Sequence, residues 1–352
     1  MTSRTRVRGA CCVPAAILCL TLGRATFAQD TAKITERLHR ADTSTALDAP
    51  TLAPWHMKIS VQLFDPKGQP TEQGLIEEWW ASPQLDRITY ALPSYKATEL
   101  QTATGFFRTK DAGQPPLMLE LLRDQAVHPM PPDRDVEGTK PEARKEKFGK
   151  AALDCIMLDR PIKAIAYLPI GLFPTYCMDA GKDTLRASYD YGSQLILRNQ
   201  VEEFQGRAVA KEISIDRENI PAAKGQVFKL ELKAADDALF AAGFAQIEGL
   251  EPMDRRPLRV GAATMAATLL SKVNPAYPDS AKNSQASGTV TIQAVIARDG
   301  RVKFVRVVAA PQPDLGDATA TAVKQWVYKP YLLDGNAVEV ETTMIVTFAA
   351  GF

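Results

Sequence analysis

The chain has 352 residues, 45% of them hydrophobic and 24% charged, with a formal net charge of +1. That composition excludes disordered and fibrous chains and predicts globular structure, long enough for about two domains. Near-neutral charge argues against a nucleic-acid partner, which needs a basic face.

The N-terminus has the layout of an export signal. "MTSRTRVRG" is basic, "ACCVPAAILCLTL" is apolar, and "GRATFA" ends in small residues, the order of a secretory signal peptide. The expectation is a signal at residues 1–28, cut after Ala28, and a periplasmic mature protein. The alternative is a retained anchor in the inner membrane, facing the periplasm. The apolar run from Cys11 to Leu22 spans roughly 18 Å as a helix, against a hydrocarbon core of about 30 Å. Leu18 ahead of Cys19 is not the small residue a lipoprotein signal places there. With the signal gone, Cys155 and Cys177 are the remaining cysteines. In an exported chain they read as one disulfide, which would stabilise by roughly 3 kcal/mol. The rival reading, a catalytic thiol, needs a basic partner. His39, His56 and His128 are the available histidines, and none sits in a recognisable setting.

Residues 30–50 are polar with a helical patch, "AKITERLHRA". From Trp55 the pattern turns to strands: "WHMKISVQLF", the turn "DPKGQ", "EQGLIEEWWA", "DRITYAL", "YKATELQT" and "GFFRT". Short alternating runs separated by turn residues predict an antiparallel meander. In "LIEEWW" the alternation puts Trp79 on one face and Trp80 on the other. "PPLMLELLRDQAV" has leucines at helical spacing behind a proline and predicts a helix lying on the sheet. The Pro- and charge-rich run 128–150 reads as a long exposed connection, with "PEARKEKF" a short helix inside it. Strands resume at "ALDCIMLDRP" and "KAIAYLPI". Residues 185–215 predict three strands, with turns near Tyr191-Gly192 and Gln205-Gly206, and "QVFKLELKA" another. Residues 50–235 therefore predict about eight to ten antiparallel strands with one or two helices. Residues 236–263, with Pro252, Pro257 and "DRRPLR", read as a linker.

From 264 a small α/β unit follows. "NPAYPDSAKNSQ" starts a short helix at Pro278. "SGTVTIQAVIARDGRVKFVRVVAA" is a hairpin about an Asp-Gly turn. "PDLGDATATAVKQWVY" is a helix with Asp314 as its cap, and Leu315, Ala318, Ala322 and Trp326 share one face. "NAVEVETTMIVTF" is the last strand, with Val338, Val340, Thr342, Met344 and Val346 on one side.

The ordered motifs "PAYP", "GTVTIQAVIARDGRV", "AVKQWVYKP" and "DGNAVEVETTMIVTF" resemble the C-terminal domain of TonB-family energy transducers, over about residues 270–350. The resemblance implies a three-stranded antiparallel sheet with helices on one face, so the whole chain reads as α+β: a β meander or half-barrel, then the small unit at 264–352. It also implies docking of an envelope partner, such as a TonB-dependent outer-membrane receptor, by strand addition. The recruiting edge would be the last strand: Val338, Glu339, Val340, Glu341, Thr342, Thr343, Met344 and Ile345. Tyr277, Pro278, Gly288, Asp299, Gly300, Trp326, Tyr328 and Pro330 carry the signature, read here mainly as structural. The chain departs from the family in showing neither an uncleaved anchor nor a Lys-Pro or Glu-Pro spacer. A membrane-anchored energy transducer is thus the alternative, not the leading expectation.

The N-terminal meander resembles the half-barrel of lipoprotein carriers. That resemblance implies an apolar or lipid ligand, with Trp79, Trp80, Tyr90, Phe106 and Phe107 as cavity lining; the same five residues read equally as core. No catalytic residue, cofactor or metal site is expected. The pairs Glu77-Glu78 and Glu202-Glu203 point to opposite faces, and no HExxH, phosphate loop, GxSxG or CxxC occurs.

Overall fold

In a computed structural model of the chain, the described residues are 19–131, 136, 139–159, 173–189, 194–217, 219–233, 249–253 and 256–349. Two units stand out, and both are built on antiparallel pairing.

The larger unit opens with helix α1 (Cys19–Thr45). Strands β1 (Trp55–Phe64), β2 (Pro70–Ser82), β3 (Leu85–Ala91), β4 (Lys96–Thr102) and β5 (Gly105–Thr109) then meander outward, and helix α2 (Leu117–Val127) follows. The chain crosses to the far edge of the sheet and returns through β6 (Lys140–Phe148), β7 (Ala151–Asp159), β8 (Thr175–Asp179), β9 (Leu185–Tyr189), β10 (Gln194–Phe204), β11 (Arg207–Arg217) and β12 (Ile220–Leu232). The two meanders join where β12 pairs with β1, Trp55 opposite Leu232. With β13 (Leu250–Met253) added outside β5, the result is a 13-stranded sheet.

Local chemistry sets the turns. Between β1 and β2 the Asp65 carboxylate accepts from the Lys67 and Gln69 amides, and Gly68 takes φ 78°. Gln205 and Gly206 both have positive φ between β10 and β11, the mirror-image turn that suits a tight hairpin. One face of the sheet is apolar and is covered by the two helices. Under α2, Leu119, Leu121, Leu122 and Val127 pack on Met57, Ile59, Ile76, Ile88, Ile213 and Val227. Under α1, Leu38 and Ala41 pack on Ile156, Leu158, Tyr176, Met178 and Leu185. Arg37 and Arg40 fix α1 through Asp154 and Asp183.

The smaller unit contains β14 (Leu258–Arg259), α3 (Ala262–Ala266), β15 (Leu269–Ser271), α4 (Asp279–Asn283), β16 (Gly288–Ile296), β17 (Val302–Ala309), α5 (Pro313–Val323), β18 (Val327–Tyr328), β19 (Leu332–Leu333), β20 (Asn336–Ala337) and β21 (Val340–Phe348). Its main sheet runs β14-β21-β16-β17. β21, β16 and β17 are antiparallel, but β14 runs parallel to β21, so the sheet is four-stranded and mixed where a three-stranded antiparallel one was expected. Val290, Ile292, Ala294, Leu315, Val323, Trp326, Val340 and Met344 form the core on its helical face.

Several expectations need correction. "PEARKEKF" is strand β6, not a helix: its register with β7, Lys140 opposite Asp159 to Phe148 opposite Ala151, overrides the helix propensity of Glu, Ala, Arg and Lys. Residues 55–232 hold more strands than the eight to ten expected. The run 236–263, read as a linker, contributes two strands in its described part. Pro252 is tolerated there because β13 is outermost and needs no further donor. Asp314 does not cap α5. Gln312 holds the cap position without a side-chain bond, and Asp314 in the first turn accepts from the Ser280 hydroxyl. Val338 and Glu339 precede the last strand instead of opening it. Residues 1–18, the strand expected at "KAIAYLPI" and the turn at Tyr191-Gly192 lie outside the described residues. Among the described residues no helix is long and apolar enough to cross a membrane.

Candidate functional site

The signature residues build the platform for β21. Tyr277 stands edge-on to Phe348, ring centroids 5.6 Å apart, and its hydroxyl donates to the Ala286 carbonyl. Pro278 occupies the cap position of α4. Asp299 accepts from the Arg301 amide at 2.9 Å, closing the β16–β17 turn. Gly300 sits at φ 84°, and a Cβ there would stand 1.9 Å from the Tyr328 carbonyl oxygen; no other residue fits. Gly288 has φ 136° against Pro311. Trp326 fills the helix–sheet interface and donates its ring N–H to the Val273 carbonyl at 2.8 Å. The Tyr328 hydroxyl meets the Met344 sulfur at 3.4 Å beneath the sheet, while Pro330 is exposed.

β21 pairs along its whole length with β16, Val340 opposite Ile296 and Phe348 opposite Gly288. Its other edge is only partly used. The Leu258 amide donates to the Glu339 carbonyl at 2.8 Å and the Val260 amide to the Glu341 carbonyl at 2.9 Å. Because donors and acceptors alternate along a strand, Thr343, Ile345 and Thr347 aim theirs at the same edge. No strand pairs with them among the described residues. Val340, Thr342 and Met344 are buried on the core side, whereas Ile345 is 39% exposed. Of the eight residues expected at the recruiting edge, Glu339 and Glu341 are therefore already bonded by the chain's own segment at 258–260, with Val340 between them. Thr343 and Ile345 are open.

The sheet's second face is also buried. Thr291, Gln293 and Val295 are almost inaccessible, and Val308 joins the core around α2. The Arg306 guanidinium bridges to Glu120 at 3.2 Å and to the Pro115 carbonyl at 2.9 Å. Helix α2 is thus held between two sheets. Beside it lies a cleft of about 290 Å³ lined by both units, including Tyr90, Glu99, Arg108, Glu120, Arg123, Asp124, Arg256, Arg259 and Glu341. Its charges are cross-bridged. Arg123 pairs with the buried Glu78, Arg108 with Glu99, and Arg256 with both Asp86 and Glu99. Arg259 reaches Asp124 at 2.8 Å and Glu341 at 3.6 Å. Burial, then repulsion from Glu341, pushes the Glu120 carboxyl up to about 8 against the pull of Arg306.

The aromatic residues offered as cavity lining are mostly core. Trp80 stacks on Trp55 at 5.9 Å, and Tyr90 and Phe106 are buried. Phe107 packs partly on Leu100 and Leu250, and Trp79 lies on His56 with centroids 3.6 Å apart. His56 contacts Glu77 at 2.7 Å. His128 is held between Asp42 and Asp48, each at 2.8 Å. Burial opposes its charge, but the two carboxylates raise it to about 10. Cys155 and Cys177 face each other across β7 and β8 and are joined as a disulfide. Among the described residues no group of three His, Cys, Asp or Glu side chains is placed to hold a metal ion.

Sequence reasoning missed Glu120, Asp124, Arg256, Arg259 and Arg306. For Arg256 and Arg259 the available signal was the basic cluster "RRPLR" around Pro257, which a solvated linker does not require.

The C-terminal motifs anticipate the antiparallel pairing of β21, β16 and β17; the parallel β14 on half of the outer edge is not part of that expectation. Residues 273–349 match the family described as Gram-negative bacterial TonB protein C-terminal. This TonB-type unit shares 25% identity with the solution structure of the TonB C-terminal domain from Pseudomonas aeruginosa, covering 23% of this chain and 82% of that one at a TM-score of 0.21. Over the larger unit, a LolA superfamily protein from Nitrosomonas europaea aligns with 59% of this chain and 97% of its own, at 8% identity and TM-score 0.40. A DUF1329 family protein from Desulfovibrio piger covers 61% and 97%, at 9% identity and TM-score 0.37. At scores this low these structures assign no function. No curated protein matches the chain.

Proposed function

We propose that the chain is a periplasmic docking protein whose TonB-type unit captures an extended segment of an envelope partner, an outer-membrane receptor in the leading case, along the open edge at residues 343–347. The observation that carries this reading is the uncovered half of β21, where Thr343, Ile345 and Thr347 turn backbone groups outward without a partner strand among the described residues. Main-chain pairing supplies affinity in strand addition, and alternate side chains supply selectivity. The buried disulfide fits an oxidising compartment. The larger unit serves as the body that holds the docking sheet, since Arg306 and Arg259 tie that sheet to α2. An apolar-ligand role for the larger unit has less support, because the leucines of α2 already fill the apolar face that such a ligand would need.

The test uses synthetic peptides copying the N-terminal periplasmic segments of outer-membrane receptors from the same cell. Ile345→Pro removes one outward donor and leaves the β16 pairing intact. Binding at least about tenfold weaker than to the unaltered protein, roughly 1.4 kcal/mol, is the expected result. Peptide binding that ignores both Ile345→Pro and Thr343→Pro removes strand addition from the account.

A further inference from the structure

The covered half of the docking edge is as informative as the open half. The larger sheet ends at β13, Arg256 is fixed to Asp86 and Glu99, and Leu258–Arg259 pair with β21 as β14. There the chain performs strand addition on itself. Leu258 and Val260 donate to β21, and both side chains enter the apolar core of the TonB-type unit; Val260 is 1% exposed. Arg259, between them, turns to the opposite face and meets the carboxylates of Asp124 and Glu341.

We propose that residues 258–260 are an internal stand-in for a partner strand. They withhold the Val340–Glu341 end of the edge until a parallel segment with an apolar–basic–apolar pattern displaces them. This inference rests on the docking reading above and names the partner chemistry and the control of that same edge. The pattern follows from the seat. A strand there must place alternate side chains in an apolar core, and it must place the intervening one between two carboxylates, where a cation is favoured. A parallel direction follows from β14 itself. Displacement also frees Arg259 from α2, so docking at β21 loosens a contact between the two units.

An internal competitor lowers apparent affinity by the fraction of time the seat is empty. The full-length protein is therefore titrated with a labelled peptide copying residues 256–262, RPLRVGA, and compared with Arg259→Glu and the milder Arg259→Gln. Unfolding midpoints establish that each variant is folded. Both variants are expected to bind the peptide at least about tenfold more tightly than the unaltered protein. A control peptide with its central Arg replaced by Glu is expected to bind none of the three. Equal affinity for variant and unaltered protein, or no binding to any of them, overturns the proposal. The receptor peptides with Ile345→Pro are measured in parallel. If they still lose binding there while the RPLRVGA peptide shows no difference, the docking reading stands and the internal competitor alone falls.

Discussion

Two long edges of this molecule meet solvent in opposite ways. β6 is the outermost strand at one side of the 13-stranded sheet, and its nine residues read KPEARKEKF. Lysines and a proline on an edge repel a second strand. The free half of β21 carries Thr343, Ile345 and Thr347, with no charge and no proline among them. The first edge is defended against pairing, and the second is left available. The same backbone chemistry is present on both, so the difference between the two edges lies in their side chains.

The largest expected effect comes from removing the platform beneath the open edge. Trp326→Ala deletes the ring that fills the helix–sheet interface, and it should lower the stability of the TonB-type unit by about 3–5 kcal/mol. Calorimetry should show that transition shifting, and peptide binding should be lost with it. Next, beside the defended edge, reducing the Cys155–Cys177 bond should lower the stability of the larger unit by roughly 3 kcal/mol. Thermal melts with and without reductant read this, and docking through β21 should persist below the new midpoint. A third experiment tries to convert one edge into the other. Lys140→Thr, Lys145→Thr and Lys147→Thr together should leave the monomer fold within about 1 kcal/mol of its stability but make the protein self-associate with concentration. Sedimentation would show it; a strictly monomeric triple variant would mean that charge is not what protects β6.

A pH dependence is expected away from both edges. His128 is raised to about 10 from its ordinary 6.5 by Asp42 and Asp48, in spite of burial. A folded-state pKa above the unfolded one gives stability that is full below about 6.5 and is lost as pH rises through 10. His128→Gln should remove that alkaline loss, read as unfolding midpoints at a series of pH values. Glu120, raised to about 8, has the same sign: it favours the fold most below 4.5 and least above 8. Glu120→Gln should flatten that part of the profile.

Much of the local structure was legible because periodicity reports on burial. The alternation at Trp55 to Phe64, the leucines of α2 and the Asp-Gly turn each carry their pattern within a few residues, whereas the face expected on α5 holds only at Leu315 and Ala322, since the helix ends at Val323, before Trp326. The failures share a cause. "PEARKEKF" has the propensities of a helix and lacks an apolar stripe; only its neighbour β7 makes it a strand. "EPMDRRPLR" looks like a linker because Pro252 and Pro257 break any local period, yet its β13 and β14 complete the edges of two separate sheets.

By itself, then, the sequence determined most of the strands with a clear alternation, the motif order that resembles the TonB family, and that Cys155 and Cys177 would be the pair to join. It did so because side-chain period, turn residues and motif order are properties of short windows. Tertiary structure alone decided that α2 lies between two sheets, that Arg259 and Arg306 tie those sheets together, and that β14 occupies half of the edge that β21 presents. Those outcomes depend on contacts between residues tens to hundreds of positions apart, where pairing partners are selected by the assembled fold and leave no period in the chain.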